Sequence, residues 1–440
     1  MTAFHFTRAD FPDGFLFGTA TSAYQIEGHG MGGAGRTHWD DFAATPGNVV
    51  RAEDGARACG HRKRWERDHD QIAGAGVGVL RVSATRGRGF PQGRGAVNQA
   101  GLDFYDRLVD GMLARGIKPA LTLYHWELPS PLSDLGGWRN RDVASWFADY
   151  AAVLCDRIGD RIWSAAPINE PWCVGWLSHF MGLHAPGLRD IRATARAMHH
   201  MGLAHGRAIE VMRGLGMQNL GAVCNFEYAL PRTDSPADIA AAKRYDGIYN
   251  RWFLGGMFAG EYPTDVLDGL GAHLPADWQD DMATIAQPLD WLGVNYYTCK
   301  RVQDAPDQPW PHYSEHTGDL PLTQMGWEIC PDGLHHFLTF AHQNYTKGLP
   351  IYVTENGMAN PDTPDAPDQA RIDYLETHLA AARRAIADGV PLKGYIVWSL
   401  LDNYEWSLGY EKRFGLVYVD FDTLQRRPKA SYHALRAALT

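Results

Sequence analysis

Residues 350–400 carry three pieces in order: an apolar run, 350-PIYVTE-355, an amphipathic stretch, 371-RIDYLETHLAAARRAIADG-389, and a second apolar run, 393-KGYIVWSL-400. The two runs are short and continuous, the pattern of strands buried on both faces. The stretch between them has helical character and closes on Gly389, as helices tend to. Strand, helix and strand in that order predict a parallel pair joined by a crossover helix. The same alternation extends back along the chain through 15-FLFGTATS-22, 77-VGVLRVS-83, 118-KPALTLY-124, 162-IWSAAPIN-169, 220-LGAVCNF-226 and 291-WLGVNYY-297. Between these lie helical patterns such as 102-LDFYDRLVDGMLARG-116, with Leu102, Tyr105, Leu108, Val109, Met112 and Leu113 on one face. Eight runs alternating with helices predict an α/β fold closed into a single (β/α)8 TIM barrel with elaborated βα loops. No GxGxxG fingerprint supports an open sheet instead. No linker divides the chain, so residues 1–440 are expected to form one catalytic domain. The Pro/Asp-rich stretches 303–312 and 360–369 read as surface loops.

Composition narrows the function. The 440 residues are 45% hydrophobic and 21% charged, which suits a large globular core. The charge balance, 41 − 51 = −10, comes without a basic tail, so neither nucleic acid nor an anionic membrane is an expected partner. No apolar run approaches the 18 residues of a membrane span. The start, MTAFHFTRADFPDG, lacks the charged and apolar regions of a signal peptide. Six cysteines are scattered without CxxC spacing, which reads as reduced thiols in a cytoplasmic protein. HExxH spacing is absent and no metal is expected. Aromatic residues make up 12% of the chain, and flat rings beside polar groups suit a sugar, with its apolar faces and hydroxyl rim.

Catalytic residues of such barrels sit at the C-terminal ends of strands. Those ends supply Gln25 and Glu27, Arg81, His125 and Trp126, Asn169 and Glu170, Asn295 and Tyr297, Glu355 and Asn356, and Trp398, followed by 402-DNYEW-406. The chain has only 14 Glu, yet two of them, Glu170 and Glu355, terminate the fourth and seventh runs. A rim salt bridge would account for either one alone. A facing pair of carboxylates, one protonated and one ionised, is what glycoside hydrolysis requires. Arg81 is placed to hold the second ionised.

The strings 120-ALTLYHWELP-129, 168-INEPWC-173, 293-GVNYY-297, 352-YVTENG-357 and 394-GYIVWSLLDNYEW-406 resemble the glycoside hydrolase family 1 β-glucosidases, in order and spacing from about Phe15 to the C-terminus. The resemblance implies a retaining β-glycosidase with no cofactor, working in carbohydrate and cellulose breakdown on small β-glucosides or short β-linked oligosaccharides. β-Galactosides and β-fucosides are expected as further substrates. It makes Glu170 the acid/base and Glu355 the nucleophile, supported by Tyr297 and Arg81. Gln25, His125 and Asn169 would bind sugar hydroxyls, Trp398 would form the sugar platform, and Glu405 and Trp406 would grip the far hydroxyls. Trp126, Asn295, Trp327 and Phe414 complete the expected substrate-binding set. Trp172 and Trp327 resemble positions on the leaving-group side, where stacking on ligand and simple packing are both open. Relatives that take 6-phosphosugars lack the carboxylate at Glu405, so an unphosphorylated sugar is implied.

One segment departs from the family. Where the family reads DHYHRY and RFSISWPRIFP, this chain reads GHRKRW (60–65) and RVSATRGRGFP (81–91). Residues 51–94 hold ten basic and five acidic side chains inside a chain of net charge −10. Either the site entrance near the second strand is altered, or the packing there differs. A sugar-binding protein without turnover and an enzyme that mainly transfers glycosyl groups are the rival readings. The intact Glu pair speaks against the first.

Overall fold

The structure, a computed structural model, describes residues 3–361, 363 and 367–440. Each of the eight apolar runs forms a strand, β1 (Leu16–Ala20), β2 (Val79–Ser83), β3 (Lys118–Tyr124), β4 (Ser164–Ile168), β5 (Gly221–Pro231), β6 (Trp291–Asp304), β8 (Ile351–Asn356) and β9 (Leu392–Trp398), and a further strand outside the runs, β7 (Tyr313–His316), follows β6. The order around the sheet is β4-β3-β2-β1-β9-β8-β6-β5, all parallel, with β7 antiparallel on β6. Parallel bridges Ala165–Leu220 and Asn169–Val223 join β4 to β5 and close the circle. This is the TIM barrel, its helices outside, among them Gln99–Leu113, Val143–Ile158, Ile191–Gly214 and Gln369–Ala387.

The period of two along each strand divides inside from outside. Leu80, Val82, Leu121, Leu123, Leu292, Val294, Val353 and Tyr395 face the helices and belong to the main core. Val79, Ala120 and Ile396 pack together in the lumen, with Ala166, Val223 and Trp291 in a second cluster. Two residues further along the inward-facing rows stand Arg81 on β2 and Trp398 on β9, so the apolar lumen becomes a polar floor where the strands end. Gly357 permits the rims of β8 and β9 to meet: a Cβ there would lie 1.8 Å from the Trp398 carbonyl oxygen.

The sequence reading ended the fifth and sixth strands at residues 226 and 297. Both continue past the barrel rim, β5 to Pro231 and β6 to Asp304, as a paired ribbon that β7 extends. The 303–312 stretch is therefore partly strand and partly the turn of a β6–β7 hairpin. In the 360–369 stretch, residues 362 and 364–366 lie outside the described residues.

Candidate active site

One cavity of about 440 Å³ opens where the barrel strands end. His125, Trp126, Glu170, Tyr297, Trp327, Glu355, Trp398, Glu405, Trp406 and Phe414 all line it. Gln25, Arg81, Asn169 and Asn295 stand directly behind that wall, each almost fully buried. Their polar atoms are engaged with one another or with the chain. Gln25 Nε2 donates to Asn403 Oδ1 (3.0 Å) and the Tyr404 carbonyl (2.8 Å). Arg81 donates to Glu355 Oε1 and, at 2.6 Å, to Asn169 Oδ1. Asn295 Nδ2 donates to Glu170 Oε1 at 2.7 Å and to Asn169 Oδ1 at 3.2 Å.

The two facing carboxylates have unlike surroundings. Glu355 accepts from the Arg81 guanidinium and, at 2.8 Å, from the Tyr297 hydroxyl. Burial pushes its carboxyl up, and that cation and that hydroxyl pull it back. Glu170 accepts from neutral groups only, the Asn295 amide and the Cys173 thiol at 3.2 Å. Burial first and the Glu355 charge second hold its carboxyl well above the usual carboxylate range. The arrangement thus gives two identical side chains unlike surroundings, with the cation and the hydroxyl favouring the charged form at Glu355 alone. A register shift in the β6–β8 pairing between Val294 and Asn295 sets Asn295 opposite Glu355.

Further from this pair, Glu405 lies on the cavity wall with its Oε2 buried and without a hydrogen-bond partner among the described residues. Burial, then Glu355 and Glu170, push its carboxyl up to about 8. His125 presents its Nε2 to the Asn169 amide at 3.2 Å, while its Nδ1 has no such partner. Burial and Arg81 depress its basicity, leaving a neutral imidazole. Trp398 stacks on His125, and Trp406 packs on Trp126 with ring centroids 4.9 Å apart. Three site residues other than glycine adopt left-handed backbone: Glu170 (φ 47°), Trp126 (φ 75°) and Trp406 (φ 51°). Such conformations cost of order 1–3 kcal/mol each and recur at functional sites.

Other residues named from the sequence lie elsewhere. Glu27 is paired with Arg88 at 2.8 Å and accepts from Tyr105, away from the cavity. Among the described residues, none from 59–91 lines the cavity. Arg86 and Arg88 are buried in packing, Arg86 donating to the Gly93 carbonyl at 2.7 Å. Trp172 does line the cavity and stacks on Tyr249 with centroids 3.8 Å apart. The sequence reading missed Glu227, Tyr245, Tyr249, Lys300 and Glu315, which line its outer part. One signal pointed there: Glu227 is another of the scarce Glu, directly after the fifth apolar run.

The chain matches glycosyl hydrolase family 1 over residues 7–438. It is 45% identical over 429 residues to Beta-glucosidase A of Thermotoga maritima, covering 96% of each chain. It is 40% identical to the Bifunctional beta-D-glucosidase/beta-D-fucosidase of Bifidobacterium breve, again covering 96% of each. Among solved structures, the β-glucosidase from Thermotoga maritima in complex with deoxynojirimycin superposes with a TM-score of 0.94 at 43% identity, over 98% of both chains. With that extent of agreement, the chain belongs to glycosyl hydrolase family 1.

Proposed function

We propose that the protein is a retaining β-glucosidase, releasing terminal non-reducing β-D-glucosyl residues through a covalent glycosyl-enzyme intermediate. The observation that carries this reading is the unlike setting of the two facing carboxylates. Glu170 accepts from the neutral Asn295 amide at 2.7 Å, whereas Glu355 accepts from the Arg81 cation and, at 2.8 Å, from the Tyr297 hydroxyl. One carboxyl inclined to keep its proton opposite one held by a cation is the pair that glycoside hydrolysis uses, and membership of glycosyl hydrolase family 1 supports its retaining course. Glu355 attacks the anomeric carbon as Glu170 passes its proton to the departing oxygen. Glu170 then takes a proton from water as that water displaces Glu355, restoring both groups. Arg81 and Tyr297 keep Glu355 ionised, and the reaction so written uses side chains and water alone. NMR of the first product formed tests it: β-glucose should appear before mutarotation, and α-glucose as first product would refute retention.

The pH profile follows from the same asymmetry. Activity needs Glu170 protonated, so it should be lost as pH rises through the raised Glu170 value of about 8. It needs Glu355 ionised, so it should also be lost as pH falls through the lower value of the pair. A bell-shaped kcat/KM profile is expected, and a profile flat from pH 7 to about 10 would contradict the assignment.

Sugar choice rests on Glu405, Trp406 and His125, which line the cavity, with Gln25 and Asn169 bracing the wall behind them. Two neighbouring sugar hydroxyls donating to Glu405 favour its charged form against the burial that raises it, and make charge-assisted bonds of about 1.5–3 kcal/mol each. Changing or losing one of them costs roughly 10–100-fold in kcat/KM, so β-galactosides and β-fucosides should be hydrolysed with discrimination of that order. A 6-phosphoglucoside should fail beside Glu405. Glu405→Ser should lower glucoside turnover and narrow that gap; a wild-type preference for the phosphorylated sugar would displace Glu405 from this role.

All six cysteines are free and buried, which supports a reducing compartment, the cytoplasm. No helix among the described residues is long and apolar enough to cross a membrane. The whole chain is read as one catalytic unit because its first strand, β1, pairs with its last barrel strand, β9.

A further inference from the structure

Four of the six buried cysteines have settled surroundings. Cys59 donates to the Asp402 carbonyl at 3.0 Å, Cys173 to Glu170, and Cys155 and Cys224 are packed in the main core. The remaining two meet outside the catalytic cavity. Cys299 lies on β6, two residues past Tyr297, and Cys330 immediately precedes the helix Pro331–Ala341. Three contacts hold the two segments together. The Tyr296 hydroxyl donates to the Cys330 carbonyl at 2.6 Å, the Thr298 hydroxyl donates to the Glu328 carbonyl at 3.0 Å, and Cys299 Sγ lies 3.8 Å from Glu328 Oε2. The Cys299 thiol donates to the Cys330 sulfur. That bond first, then burial and the neighbouring Glu328 charge, keep Cys299 protonated. The same bond, ahead of the burial that opposes it, draws the Cys330 thiol below its ordinary value, and the Gly333 amide at the helix start adds to this. A thiol inclined to ionise meets one that holds its proton.

We propose that Cys299 and Cys330 are a redox modification site: a hydroperoxide joins them in a reversible disulfide that fastens the loop carrying Trp327 to β6. The proposal goes beyond the β-glucosidase reading and does not depend on it. Reactive thiol and resolving thiol side by side is the arrangement of a redox sensor, and Cys330, at a helix start, is the more exposed of the two, 7% against 3%. The Cys330 thiolate attacks one peroxide oxygen and the O–O bond breaks. The departing hydroxide takes up the proton that Cys330 released and leaves as water, with Cys330 now a sulfenic acid. The Cys299 sulfur then attacks the Cys330 sulfur, the S–O bond breaks, and the Cys299 proton leaves with that oxygen as a second water. Two thiols are oxidised and one peroxide is reduced to two waters. The cross-link would bear on the cavity wall. Glu328 gathers the loop by accepting from the Gly318 amide at 2.9 Å and the Leu320 amide at 3.1 Å. Trp327, beside it, lines the cavity and faces Tyr297 with ring centroids 5.5 Å apart. Tying residue 330 to β6 adds a covalent hold to this segment. It also closes a loop of about 30 residues, which restricts the unfolded chain and favours the folded one.

The test exposes the full reduced chain to a few equivalents of hydrogen peroxide, then alkylates it in denaturant for peptide mass analysis. The six free thiols should fall by two, with the peptides of Cys299 and Cys330 recovered as one cross-linked species lighter by two hydrogens. The melting temperature should rise by several degrees and return to its starting value with dithiothreitol. These wild-type measurements need no variant to fold. Cys299→Ser and Cys330→Ser should each show no such rise after the same treatment. Cys299→Ser should instead collect sulfinic acid at Cys330, having lost the thiol that resolves the sulfenic acid. Six thiols surviving in the folded protein, while the same peroxide oxidises the urea-unfolded chain, overturn the proposal. So does oxygen added to wild-type Cys330 without the cross-link, or a melting temperature that does not move when the cross-link forms.

Discussion

Glu355→Ala is expected to lose hydrolysis by about 10⁵-fold or more, the scale on which removing a nucleophile acts in other covalent enzymes. The variant also strands a charge. Arg81 is buried beside Glu355, with Asn169 as its other side-chain partner, so truncation leaves a guanidinium without its counter-ion. Removing one member of a buried pair typically costs about 3–5 kcal/mol, so the melting temperature should fall along with activity. Azide or formate added to the variant should enter the vacated space, attack the anomeric carbon and give a product of inverted configuration. Because either anion also pairs with Arg81, it should raise the melting temperature of the variant and not that of the wild type. Near-normal activity in Glu355→Ala would end the assignment.

The second large effect belongs to Glu170. Glu170→Gln retains an acceptor for the Asn295 amide and has no proton to give. On substrates with poor leaving groups, such as cellobiose, kcat/KM should fall about 10²–10⁴-fold, the usual contribution of a general acid. Aryl glucosides with activated leaving groups depart without protonation and should be spared in the first step. The alkaline limb of the pH profile should disappear for those substrates, since the group that sets it is gone. Equal loss on both substrate classes, or an alkaline limb unmoved by the substitution, would transfer the role to another residue.

The barrel was legible because strands buried on both faces must be apolar along their whole length, and each barrel segment announced itself that way. The facing pair Glu170 and Glu355 was legible for the complementary reason: a Glu at the end of such a run breaks the pattern at the rim, where active sites of barrels sit. Glu227 escaped because β5 and β6 do not stop at the rim. Past Phe226 and Tyr297 the two strands form a ribbon with one face towards the cavity, and residues such as Thr298 and Lys300 do not read as a buried strand. The 59–91 segment was open to two readings, an altered site entrance or different packing, and the structure favours packing: Arg88 finds Glu27 from a distant part of the chain, a pairing that only the closed barrel brings about. Gln25 and Asn169 show a third case: the structure sets them one layer behind the cavity wall, a distinction of ångströms that no spacing in sequence encodes.

The left-handed backbone at Trp126, Glu170 and Trp406 bears on how this enzyme would respond to engineering. At each position a glycine, or with less relief an asparagine, fits the backbone better than the residue present. The rings outweigh that relief. Trp406 is buried against Tyr24, Trp39 and Trp126, and emptying such a site costs about 3–5 kcal/mol against the roughly 1–3 kcal/mol of the strained backbone. Selection for heat survival should therefore leave these positions as they are and find its improvements elsewhere on the barrel.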